Sequence, residues 1–92
     1  MNMNCVIERN SNYPFQKVVD ETIIVNPKSR LMHSLNEVGG FIWQKLSSPV
    51  KLSELIDSIT SEYNADATQV QKDVIDFLVE LEKQRLIVVK SN

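Results

Sequence analysis

The sequence predicts an α+β fold in which a three-stranded antiparallel sheet is followed by a three-helix bundle. Two observations carry this. Between Phe15 and Leu35, short β-branched or aromatic runs alternate with turn-forming residues; from Asn36 onward, apolar residues recur at helical spacing. So small a sheet is stable only when one face is covered, and the helices supply the cover.

Met1 to Pro14 holds a brief apolar patch, Cys5 to Ile7, before the turn-prone Asn10-Ser11-Asn12, and reads as an N-terminal arm or a short extra strand. Phe15–Val19 and Thr22–Val25 form a hairpin around Asp20-Glu21, because the flanks favour strand and the acids favour the turn. Asn26-Pro27-Lys28-Ser29 is a second turn, since proline pre-sets φ and cannot donate to a ladder. The third strand is Arg30–Leu35.

Asn36 is the expected N-cap of the first helix, Glu37–Leu46, on which Val38, Phe41, Ile42 and Trp43 make the apolar face. Gly39 and Gly40 each cost this helix roughly 1 kcal/mol relative to alanine, a loss explained by close packing of another backbone. Ser47-Ser48-Pro49 ends it, since the residue before proline resists helical geometry. The second helix, Leu52–Tyr63, puts Leu52, Leu55, Ile56 and Ile59 on one face and stops at a left-handed Asn64. Asp66 and Gln69 have the spacing of a capping box for the third helix, Ala67–Gln84, whose core stripe is Val70, Val74, Phe77, Leu78 and Leu81. Leu86–Val89 is a short strand or packed extension.

Composition restricts the function. Ninety-two residues suit one small domain, placed at 15–92, and no internal repeat or linker marks a second. Ten basic against twelve acidic residues, a net charge of −2, disfavour a nucleic-acid partner. Cys5 has no second cysteine to bridge and fits a reducing cytoplasm. The chain shows neither a secretory h-region nor an apolar run near 18 residues, so a cytoplasmic location with no membrane partner is expected. Nucleophile elbow, phosphate-cradling loop and Cys/His ligand cluster are all missing from the sequence, so neither catalysis nor a metal or other cofactor is expected.

The run LNEVGGFIWQKL, then LSELIDSITSEYNA, then DVIDFLVELEKQRLI resembles the PqqD family, also called RiPP recognition elements, over roughly residues 15 to 89. The Leu35-Asn36 and Ile42-Trp43 pairs, with Asp73-Val74 and Phe77-Leu78 through Leu81, carry the resemblance by order and spacing. It implies a winged-helix-like architecture. It also implies a non-catalytic adaptor that captures the leader of a ribosomally synthesised precursor peptide and presents it to a maturation enzyme, such as a radical SAM protein or a leader peptidase. The leader would add as an antiparallel strand beside the third strand and lie over the third helix, a β-augmentation. Lys51 departs from the family's usual Ser/Thr cap, and Met1 to Tyr13 match nothing in its pattern.

On that basis the peptide-binding residues are Arg30, Leu31, Met32, His33 and Ser34 on the strand, with Asp73, Asp76, Phe77 and Glu80 on the helix. The strand carries no proline and one permanent charge, Arg30, so its edge is weakly guarded. The helix offers two flanks, Asp73/Phe77/Glu80 or Ile75/Val79; the first, with Asp76 nearby, would draw basic leader residues to an apolar floor. His33 reads as a packed strand residue and Trp43 as core. Arg30 has a hairpin acid as a possible partner, and the helix acids a role as a solvated face. Two other functions fit the fold: a winged-helix DNA-binding regulator, opposed by the acids of Gln71 to Glu82, and an assembly module that dimerises through the open edge.

Overall fold

The computed structural model describes residues 1–10, 14–18, 21–25, 30 and 32–90. In chain order these form β1 (Val6–Arg9), β2 (Phe15–Val18), β3 (Glu21–Val25), β4 (Met32–Leu35) and α1 (Glu37–Lys45), then β5 (Val50–Lys51), α2 (Leu52–Tyr63), α3 (Ala67–Lys83) and β6 (Ile87–Lys90). The turn expected at residues 26–29, together with Ser11, Asn12, Asp20 and Leu31, lies outside the described residues.

The strands make two antiparallel sheets. β2-β3-β4 is the meander expected from the sequence, in a register that sets Thr22 against Leu35 and Ile24 against His33. Thr22, Ile24 and Leu35 are buried, and His33 is half-buried on the same face. The second sheet, β5-β1-β6, joins the short N-terminal and C-terminal strands that the sequence allows, a pairing it does not predict. Its central strand comes from the N-terminal patch: Ile7 is fully buried, and Val6 through Arg9 pair along the whole of β6.

β1 also explains why α2 begins at a lysine. Lys51 makes no side-chain cap, and the first N–H groups of the helix are satisfied instead by backbone: Leu52 donates to the Cys5 carbonyl at 3.0 Å and Ser53 to that of Met3 at 3.1 Å. Orphan N–H groups at a helix start need an acceptor of some kind, and a neighbouring segment serves as well as a serine. α2 ends, as its sequence predicts, at Asn64 in the left-handed conformation. α3 ends in a Schellman arrangement that the sequence did not announce. Arg85 has φ 61°, Leu86 donates to the Leu81 carbonyl at 3.0 Å, and both leucines are buried.

The core lies between the sheets and the helices, built on Trp43, Leu46, Leu52, Leu55 and Leu78. Trp43 is fully buried, with Phe15 edge-on to it at 5.8 Å between ring centroids. The Arg9 guanidinium lies over both rings, 4.7 Å from the centre of Phe15 and 5.3 Å from that of Trp43. Among the described residues, no helix is long and apolar enough to cross a membrane.

Candidate functional site

α1 starts where β4 stops, and that junction shapes the site. Asn36 caps the helix by accepting from the Gly39 N–H at 2.8 Å, so the chain turns from strand to helix within one residue. α3 runs alongside. Between the three elements lies a half-open cavity of about 260 Å³. β4 contributes Ser34 and Leu35, α1 contributes Val38, Gly39 and Ile42 below its cap, and α3 contributes Asp73, Val74 and Phe77. The floor is apolar and the rim polar.

The edge beside it is open. β4 is the last strand of its sheet, with β3 on one side and no strand on the other among the described residues. The C-terminal strand does not close it, because β6 is held by β1 in the other sheet. Antiparallel edge strands turn alternate N–H and C=O groups away from their partner, so β4 presents unpaired donors and acceptors along the cavity.

Asp73 is held in place on the rim. The Asp66 side chain caps α3 through the N–H groups of Thr68 (2.8 Å) and Gln69 (3.2 Å), but the Gln69 side chain does not complete a capping box. Its Nε2 donates instead to Asp73 Oδ1 at 3.0 Å, leaving the carboxylate exposed and oriented.

Of the residues assigned from the sequence, the cavity brings together Ser34, Asp73 and Phe77. Met32 is the adjoining edge residue, 68% exposed, and His33 points to the core side, paired with Ile24. Arg30 is exposed but stands before the strand with φ 61°, so the expected strand Arg30–Leu35 is shortened to Met32–Leu35, and Arg30 makes no ion pair among the described residues. Leu31 lies outside the described residues. Asp76 and Glu80 do not join the cavity. Asp76 lies in a shallow depression with Thr68, Gln71, Lys72 and Ile75, because three residues at about 100° each turn it about 60° past Asp73, farther from the core stripe. Glu80 is exposed beyond the cavity's end. The flank that faces β4 is that of Asp73 and Phe77. Phe77 is a half-buried wall there, not a core residue.

Val38, Gly39 and Ile42 were missed as cavity residues. Val38 was placed on the core face of the first helix, yet it is 40% exposed. In this structure Val38, two places past the N-cap, lies on the side where β4 arrives, and it lines the cavity with Ser34 and Leu35. Nor does another backbone fill the space over the glycines. The crowding atoms belong to the side chains of Thr22, Leu35, Phe77 and Asn36. Among the described residues, no group of three or more His, Cys, Asp or Glu is placed to hold a metal ion.

The family model for coenzyme PQQ synthesis protein D, PqqD, matches residues 21–87. The chain belongs to the PqqD family. The match begins at β3 and ends at the start of β6, so it contains every residue lining the cavity and leaves β1 and β2 outside. The PqqD-like fold is also found in a solved structure of TbiB1 in complex with the TbiA(beta) leader peptide. That structure is similar at a TM-score of 0.80 with 26% sequence identity, over 87% of this chain and 93% of TbiB1. A search of the curated proteins finds no match.

Proposed function

We propose that this protein is a non-catalytic adaptor. It captures the leader segment of a ribosomally synthesised precursor peptide by strand addition to β4 and presents the rest of that peptide to a separate modifying enzyme, such as a radical SAM protein or a leader peptidase. The observation that carries the proposal is an open sheet edge running directly beside an apolar cavity. Membership of the PqqD family and the likeness to a leader-bound TbiB1 support it.

Strand addition and cavity have separate tasks. A four-residue edge directs about half of its backbone groups outward, and each net hydrogen bond stabilises by roughly 0.5–1.5 kcal/mol. That sum falls well short of the roughly 8 kcal/mol that micromolar affinity needs. An apolar leader side chain buried in the cavity adds about 1.5–3 kcal/mol and, unlike the backbone bonds, depends on which residue it is. Asp73, fixed by Gln69, favours a basic leader residue next to that anchor.

The test is calorimetric titration with leader peptides of ribosomal precursors, the TbiA(beta) leader first among them. Met32→Pro removes an edge donor, and Asp73→Lys reverses the charge on the rim. Each is expected to weaken binding about tenfold or more while thermal unfolding stays cooperative. Unchanged affinity in both variants would place the leader elsewhere. Presentation is tested apart from capture: an enzyme that modifies a captured precursor should do so much more slowly when this protein is left out.

A further inference from the structure

Gly39 and Gly40 are neighbours in α1, yet a methyl group added to each would meet different surroundings. At Gly40 the new Cβ would lie 2.7 Å from Oγ1 of Thr22, a buried residue of β3. That contact belongs to the seam between helix and sheet. At Gly39 the new Cβ would lie 3.2 Å from Cβ of Leu35 and 3.3 Å from Cζ of Phe77. Gly39, Leu35 and Phe77 all line the cavity beside β4.

The two crowding atoms at Gly39 are not equally free to move. The Leu35 Cβ is fixed by the backbone of β4, whereas the Phe77 Cζ is the tip of a half-buried ring that turns about two bonds. An added methyl therefore either occupies the cavity or displaces the Phe77 ring, and both change its shape. A cavity of about 260 Å³ exceeds the roughly 150 Å³ that holds benzene, so one methyl does not fill it but narrows it locally, between Leu35 and Phe77.

We infer that Gly39 is a specificity-determining residue: by lacking a side chain it sets the clearance of the groove between Leu35 and Phe77, so that alanine at this position disfavours a ring-sized apolar side chain relative to a smaller one. This rests on the groove being the leader site. It also gives Gly39 a role distinct from that of Gly40, which accommodates Thr22.

Short random peptides displayed on phage are selected against the wild-type protein. The apolar anchor of a selected binder is located by alanine scanning, then replaced in turn by Phe, Leu and Val. Each peptide is titrated into wild type, Gly39→Ala, Gly40→Ala and Phe77→Leu, and the same samples are melted. Gly39→Ala is expected to weaken the Phe-anchored peptide about tenfold or more and leave the Val-anchored one unchanged, while unfolding stays cooperative. Phe77→Leu, which enlarges the same space, shifts preference towards Phe. Gly40→Ala melts lower but keeps the wild-type ranking. A wild-type ranking in Gly39→Ala and Phe77→Leu, or in whichever of them folds, overturns the clearance role and leaves the leader groove standing. A selected peptide indifferent to both Met32→Pro and Asp73→Lys binds outside the groove and overturns both.

Discussion

Trp43 is the one tryptophan of the chain and is wholly buried, yet its indole Nε1 has no hydrogen-bond partner among the described residues. Its contribution is therefore area and ring contact, and a buried donor left unmatched subtracts about 1–3 kcal/mol from what that area gives. Arg9 stacks on it with the Nη1 atom likewise buried and unmatched, and burial lowers the Arg9 pKa from its ordinary value. Trp43→Phe should consequently be mild, about 1–2 kcal/mol, because it removes an unmatched donor along with some area. Trp43→Ala should cost about 3–5 kcal/mol. Urea unfolding of the two variants measures the difference; equal losses would mean that the indole N–H is well matched in solution.

Among the elements, the helices were the most legible. Each announced itself by an apolar stripe, and three ends were marked: Asn36 and Asp66 accept backbone N–H groups with their side chains, and Asn64 takes the left-handed conformation. The pairing of the second sheet was not legible, although Cys5–Ile7 and Leu86–Val89 read as short-strand candidates, because its strands are too short to show alternation and β1 and β6 lie far apart in sequence. Val50–Lys51 is two residues long, and Val6 finds its β6 partner at Lys90. The Lys51 anomaly was the available clue, since a helix start without a capping side chain implies an acceptor from elsewhere. That acceptor is the segment leading into β1, so the N-terminal residues carry structural weight. Ile7→Ala, at a fully buried position of the central strand, should destabilise by about 2–5 kcal/mol in denaturant unfolding. A loss below about 0.5 kcal/mol would show that this strand is dispensable.

At the scale of the whole molecule, the two sheets divide the work. The groove was half legible: the β4 edge and the Asp73/Phe77 flank follow from pattern and resemblance. The contribution of α1 does not, because Val38 and Gly39 reach the cavity only through the abrupt strand-to-helix turn at Asn36. Because β4 belongs to one sheet and β6 to the other, leader capture should protect one edge only. Hydrogen exchange with and without leader is expected to slow at Met32–Leu35 and to stay unchanged at Ile87–Lys90; slowing at both would point to strand pairing between two copies of the chain. The β5-β1-β6 sheet also dictates a timetable for synthesis. Its middle strand is made well before β6, with β2 to β5 and α1 to α3 lying between the two in sequence. Closing so long a loop is slow, and until it closes β1 has only β5 to pair with, at Val6 and Ile7, while its other edge waits for β6.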